Sequence, residues 1–169
     1  MKKGIEIERK FVIKLPEVSL MQQMPGYTES RITQTYLSSR YGETRRVRKR
    51  EFSDRTDYIE TVKIRIDNMS STEIERNLTE EEYTSLLAEI SDGTRPIIKV
   101  RHAFTYLGRS FEIDVYPEWT KTCIMENELP TRDTGIQYPP FISIVSEVTG
   151  NKAYSNASMS RSFPEELSV

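Results

Sequence analysis

The feature that most constrains this chain is an alternation that opens it and keeps returning. In Ile5-Glu6-Ile7-Glu8-Arg9-Lys10-Phe11-Val12-Ile13, extended backbone sends successive side chains to opposite faces. Glu6, Glu8 and Lys10 then share one face, while Ile5, Ile7, Phe11 and Ile13 share the other. Taken alone, this describes a half-buried strand whose charged face meets water. The same layout recurs in Arg46-Val47-Arg48, Thr61-Val62-Lys63-Ile64-Arg65, Glu73-Ile74-Glu75, Lys99-Val100-Arg101, Phe111-Glu112-Ile113-Asp114-Val115 and Met125-Glu126-Asn127-Glu128-Leu129. Charges stand two apart, and apolar residues hold most of the other register.

The punctuation between these runs fits an antiparallel arrangement. Pro16 stops the first strand, and residues 17 to 24 read as a short helix or loop before Pro25-Gly26. A second strand is expected over 29 to 39, a hairpin at Tyr41-Gly42, and turns at 54 to 57, 67 to 71 and Leu107-Gly108. Thr79 with Glu80, Glu81 and Glu82 has the form of a capped helix start, and Tyr83, Leu86, Leu87 and Ile90 follow at helical spacing. The segment 142 to 149 reads as a helix ending near Gly150, with a second short helix at about 152 to 159. A single domain over 1–169 is expected, long enough to bury a core without staples.

Composition removes several classes of function. The 24 bases nearly balance the 26 acids, for a net charge of -2, which excludes nucleic-acid binding through bulk positive charge. The single Cys123 rules out an internal disulfide and a cysteine metal cluster. With no apolar run of membrane-spanning length and no signal sequence after Met1-Lys2-Lys3, a cytoplasmic protein with no membrane partner is the expectation.

About eight antiparallel strands tend to curl or close, and a closed barrel has an inside and an outside. With the apolar faces inward, the charges decorate the surface and a covering helix has nothing to cover. With the apolar faces outward beneath helices, the charges line the lumen. A dry lumen so charged is very costly, so it would hold water, cations and an anion. Paired acids suit hard divalent ions, and bases opposite them suit phosphate oxygens. The pattern alone admits both arrangements.

The opening Glu6-Ile7-Glu8-Arg9-Lys10-Phe11 resembles the E-x-E-x-K signature of the CYTH superfamily, the triphosphate tunnel metalloenzymes. The resemblance continues in order through Gln34-Thr35-Tyr36-Leu37, Arg46-Val47-Arg48, Thr61-Val62-Lys63, Glu73-Ile74-Glu75, Lys99-Val100-Arg101, Glu112-Ile113-Asp114, Glu126-Asn127-Glu128, Glu147-Val148-Thr149 and Tyr154-Ser155-Asn156. It implies an α+β chain forming a closed eight-stranded antiparallel β-barrel with helices packed on the outside. By the same resemblance Glu6, Glu8, Asp114, Glu126 and Glu128 are metal-side acids for Mg²⁺ or Mn²⁺. Lys10, Arg46, Arg48, Lys63, Lys99 and Arg101 are phosphate-binding bases. Glu73, Glu75 and Glu112 are further tunnel acids, and Glu8, Lys10, Lys63 and Lys99 are the catalytic candidates. The chain departs from the family pattern at Ser71 and Ala153, where Arg is common, and at Lys121-Thr122-Cys123, where Gly-Leu is usual.

The function implied is metal-assisted cleavage of a phosphoanhydride bond of inorganic triphosphate or a nucleoside triphosphate, as in the bacterial tripolyphosphatase subgroup. The same superfamily leaves open a class IV adenylate cyclase making cyclic AMP, or a non-catalytic polyphosphate-binding module. A homodimer is admitted. His102 falls on the face opposite Lys99 and Arg101 and is expected to be structural, and Tyr27, Tyr36 and Trp119 are expected to pack. Cys123 is expected to be inert.

Overall fold

The structure is a computed structural model describing residues 1–169. Nine strands form in chain order: β1 (Lys2–Lys14), β2 (Thr28–Leu37), β3 (Glu43–Glu51), β4 (Thr56–Arg65), β5 (Ser70–Asn77), β6 (Ile97–Tyr106), β7 (Arg109–Val115), β8 (Thr122–Glu128) and β9 (Ile144–Glu147). They hydrogen-bond in the order β5-β4-β3-β2-β6-β7-β8-β1, and β1 returns to β5 to close the barrel. All pairings are antiparallel.

The long first strand makes the closure. Its first half, Lys2 to Ile7, pairs with β5, and its second half, Glu8 to Lys14, pairs with β8. Where β5 leaves off, β9 takes over the same edge at Phe11 to Ile13. A strand shared in this way is strongly staggered, the condition for closing a sheet around an interior. β9 corrects the sequence reading, which placed a helix over 142 to 149. Ile142, Ile144, Val145 and Val148 carry an apolar spacing that suits a short helix as well as a strand, and the open edge of β1 decides for the strand.

Apolar faces point outward, as the lumen arrangement requires. Phe11, Ile13, Phe104, Phe111, Ile113, Cys123 and Met125 form one core outside the sheet with Met21 from α1 (Val18–Gln22). Much of its cover is an irregular segment, with Ile136, Tyr138, Phe141 and Ile142 packing on it. Helices were expected to do this work. The prolines at 130, 139 and 140 deny the segment a helical ladder, and its side chains cover the sheet without one. On the far side α2 (Glu80–Leu86) and the 3₁₀ turn 87–89 shield Leu37, Val47 and Leu78, with Tyr83 as the buried contact. The helix begins with the capping box expected: Thr79 accepts from the Glu82 amide, and Glu82 accepts from that of Thr79. Arg45 and Arg76 reach Glu60 together and staple α2 and its following turn through Glu82 and Glu89.

A third core lies at one end of the barrel. Val12, Tyr36, Ile97, Tyr116 and Ile124 keep the luminal register, and they meet Trp119, Val148 and Met159. Here the charged pattern gives way to an apolar floor. The tail seals it: Glu166 accepts from the backbone amides of Thr120, Lys121 and Thr122, and the Trp119 indole donates to the Pro164 carbonyl. No helix is long and apolar enough to cross a membrane.

Candidate active site

Above that floor the barrel encloses a cavity of about 540 Å³, lined by side chains from β1 to β6, β7 and β8 and by residues 148–152 and 155–158 of the tail. Glu6, Glu8, Lys10, Arg46, Arg48, Lys63, Glu73, Glu75, Lys99, Arg101, Glu112, Glu126 and Glu128 all line it. Asp114 is wholly buried directly behind Lys99 and Arg101. Thus every site residue read from the sequence converges on one interior, because each occupies the inward register of its strand.

The two sides of this interior differ in charge. One side is acidic and is built by β1, β5 and β8. Antiparallel register sets Glu8 opposite Glu128 and Lys10 opposite Glu126. Burial, followed by Glu73 and Glu128, pushes the Glu6 carboxyl up to about 8. Glu126 repels Glu8 and, with burial, raises it too. Two lysines temper this side. Lys63 Nζ lies 3.6 Å from Glu73 and 3.9 Å from Glu8. Lys10 Nζ lies 3.4 Å from Glu126, which is held down at about 2 because Lys10, Arg101 and Lys99 together outweigh burial. Lys10 also donates to the Tyr154 carbonyl of the tail.

The basic side comes from β3 and β6. On β6, the bases are matched: Arg101 donates to both oxygens of Asp114 and to Glu112, and Lys99 donates to Asp114. Burial opposes ionisation of Asp114, yet its two cations hold it far below the usual carboxylate range. Asp114 was expected among the metal-side acids. In this structure both of its oxygens accept from Arg101, and one also accepts from Lys99. Lys99 itself is lowered to about 8, by burial first and then by the neighbouring Arg101 and Arg48, against the pull of Asp114.

β3 is different. Arg46, Arg48 and Arg50 point inward and none reaches a carboxylate. Arg46 leaves its Nε buried without a partner. Arg48 donates to the Gln34 side chain at 3.0 Å, and Arg50 to the Ser30 hydroxyl at 2.9 Å. Burial and the crowding of Arg46 and Arg101 bring Arg48 down to about 9. A buried donor without an acceptor is rare in a folded protein and costly. Arg46 alone of the three is in this condition, and none of the three guanidiniums is paired with a carboxylate.

Arg50 and Arg65 also line the cavity but stood outside the expected binding set, although the register that includes Arg46, Arg48 and Lys63 extends to both. Gln34, Tyr36 and Lys152 were missed as site residues. Neutral luminal side chains and an irregular tail leave no periodic signal. His102 faces outward, buried against the Tyr27 hydroxyl at 2.8 Å, and Trp119 packs on Tyr116 and Phe163. Cys123 is buried and its thiol pushed up by desolvation, as expected for an inert side chain.

No protein-family model matches the chain, and no curated protein matches it. Solved structures do. The inorganic triphosphatase NE1496 shares 25% identity and a TM-score of 0.59, over 94% of this chain and 96% of that one. The PH1819 protein of Pyrococcus horikoshii OT3 shares the fold at 17% identity and a TM-score of 0.56, over 76% of this chain and 80% of that one. A Bacillus halodurans protein described as an adenylate cyclase candidate does so at 16% identity and 0.53, over 79% and 84%. With its closed antiparallel barrel, charged lumen and these neighbours, the chain is a fold relative of the CYTH, or triphosphate tunnel, proteins.

Proposed function

We propose that this chain is a divalent-metal-dependent triphosphatase, cleaving a phosphoanhydride bond of inorganic tripolyphosphate or of a nucleoside triphosphate inside the lumen. The observation that carries this reading is the row Arg46, Arg48 and Arg50, uncompensated by any carboxylate and set in the same cavity as a cluster of mutually repelling acids. A linear polyanion satisfies the first group, and a cation satisfies the second. Similarity to the inorganic triphosphatase NE1496 supports the reading.

The acidic side fits a hard cation by its chemistry. Glu6, Glu8, Glu126 and Glu128 offer only oxygen; Glu6 is raised by burial and by Glu73 and Glu128, and Glu8 by Glu126 and burial, by more than Lys10 and Lys63 offset. No three acids are yet gathered at ligand distance, so a bound ion would draw them together. These four residues would hold Mg²⁺ or Mn²⁺, which when bound supplies charge neutralisation at phosphate oxygens and a more acidic water.

The remaining chemistry belongs to side chains in place. Arg46, Arg48 and Arg50 present fixed guanidinium forks to phosphate oxygens, aligning the chain for in-line displacement. Such transition states need positioning and charge stabilisation more than covalent chemistry. Lys99, brought to about 8 and fully enclosed, holds a proton it can release to a leaving oxygen near neutral pH. Lys63 stands between Glu8 and Glu73, where it can meet phosphate without leaving the acids unpaired.

The test is incubation with tripolyphosphate and with ATP, with Mg²⁺, Mn²⁺ or EDTA, scoring phosphate, pyrophosphate and cyclic AMP. Metal-dependent phosphate release supports the proposal. Cyclic AMP from ATP would make the chain a cyclase, and tight binding without turnover a polyphosphate-binding module.

A further inference from the structure

Two basic strands bind their arginines in opposite ways. Arg101 on β6 is spent on Asp114 and Glu112, so an incoming phosphate must compete with two carboxylates. The inward β3 arginines that have a partner are held by β2, and only through neutral groups: Gln34 Oε1 for Arg48 and Ser30 Oγ for Arg50. In both cases the bond goes to Nε. The two terminal nitrogens, which carry four of the five donors, remain available. Gln34 is 0% exposed, and its Nε2 donates to the Tyr36 hydroxyl at 2.7 Å, which fixes the amide with its oxygen toward Arg48. The reversed amide would set NH₂ against a guanidinium N–H, donor against donor.

We propose that Gln34 and Ser30 are positioning residues, a neutral cradle that orients Arg48 and Arg50 through Nε while leaving their charge uncompensated for a triphosphate chain. The inference rests on the triphosphate reading above and deepens it. A carboxylate at either position would hold the guanidinium at least as firmly, since a charge-assisted hydrogen bond is stronger than a neutral one. It would also neutralise the charge the ligand needs. Holding without neutralising is what an amide or hydroxyl offers and an acid does not.

The two roles separate experimentally. Tripolyphosphate is titrated calorimetrically into the full chain in EDTA, which holds turnover off, and steady-state kinetics are then run with metal. Gln34→Glu is expected to weaken tripolyphosphate binding at least tenfold and to raise KM in proportion, with kcat within about threefold and thermal stability maintained. Gln34→Met, which loses the acceptor but adds no charge, is expected to weaken binding less than Gln34→Glu while lowering stability more. A purely structural Gln34 gives the reverse order, with Met the damaging change and Glu silent, and that order overturns the proposal. Should Gln34→Glu fail to fold, Ser30→Asp decides: a tenfold loss of binding supports the cradle and unchanged binding overturns it. Wild-type protein that binds no tripolyphosphate overturns both the cradle and the function on which it rests.

Discussion

Asp114 accepts from Arg101 through both carboxylate oxygens, at 2.7 and 2.9 Å, while Lys99 Nζ lies 2.7 Å from one of them. All three side chains are buried, Asp114 completely. Removing one charge from such a group strands its partners, at a cost of about 3–5 kcal/mol. Asp114→Asn should therefore lower the urea midpoint by that equivalent. It should also tighten tripolyphosphate binding in EDTA, because Lys99 and Arg101 lose their internal competitor. A variant with an unchanged midpoint would show that the triad does not hold the barrel.

A second prediction concerns pH. Glu6 is raised from 4.5 to about 8, so folding favours its protonated form. A raised folded pKa contributes stability that is complete below the unfolded value and lost as pH rises through the folded one. Glu8 shifts in the same direction. Lys99, lowered to about 8, has the opposite sign but acts only above that value, toward 10.5. Asp114 and Glu126 are depressed and act only in acid. His102, lowered from 6.5 by burial, opposes this slope below that value, so the thermal midpoint in EDTA should fall between pH 6.5 and 8, and Glu6→Gln should flatten the fall. Parallel slopes for wild type and Glu6→Gln would sink the assignment.

The charged residues of the site were legible because a strand has only two faces. Once Glu6 and Glu8 are inward, so are Lys10 and, across the register, Glu126 and Glu128. Their partners were less legible. Nothing in the sequence says that Asp114 turns to Lys99 and Arg101 while Glu128 does not, since that depends on which strands the closure makes neighbours. Gln34 entered only as part of the resemblance at Gln34-Thr35-Tyr36-Leu37, with no role attached, and Ser30 gave no signal, both being neutral residues in a strand rich in Thr and Tyr. The floor was hidden for a related reason: Val12, Tyr116 and Ile124 keep the luminal register but are apolar, so a search for charge passes over them. The helix expected over 142 to 149 failed because only the vacant edge of β1 distinguishes a short apolar strand from a helix there.

Glu8→Gln tests the acidic side. Glu8 is raised by Glu126 and by burial, so replacing it with a neutral isostere relieves repulsion and the barrel should be as stable as wild type or more so. Turnover should fall at least a hundredfold, and the Mg²⁺ or Mn²⁺ concentration for half-maximal activity should rise. In wild type, EDTA should abolish activity, and either metal should restore it. Full turnover in metal-free buffer would refute the metal-dependent reading.

Selectivity follows from what lines the lumen. Of the residues bordering the cavity, Tyr36 alone is aromatic. It is 6% exposed, and Gln34 already occupies its hydroxyl, so no platform is set aside for a nucleobase. Bases, by contrast, come from β1, β3, β4 and β6, and each charge-assisted contact to a further phosphate contributes about 1.5–3 kcal/mol. A third phosphate therefore adds more than a nucleoside does. The expected order of kcat/KM is tripolyphosphate above ATP, with little or no action on pyrophosphate, which engages fewer of these bases. Lys63→Ala should lose most of this activity, at least a hundredfold, since it removes a phosphate contact and leaves Glu8 and Glu73 without the cation now 3.9 and 3.6 Å away. It should also make added metal more effective at raising the thermal midpoint, because the acids then have one lysine fewer to offset them. Steady-state kinetics on the three substrates, with melting curves across a Mg²⁺ series, decide the matter: a preference for ATP, or a Lys63→Ala protein as active as wild type, would remove the basis for placing the triphosphate between these walls.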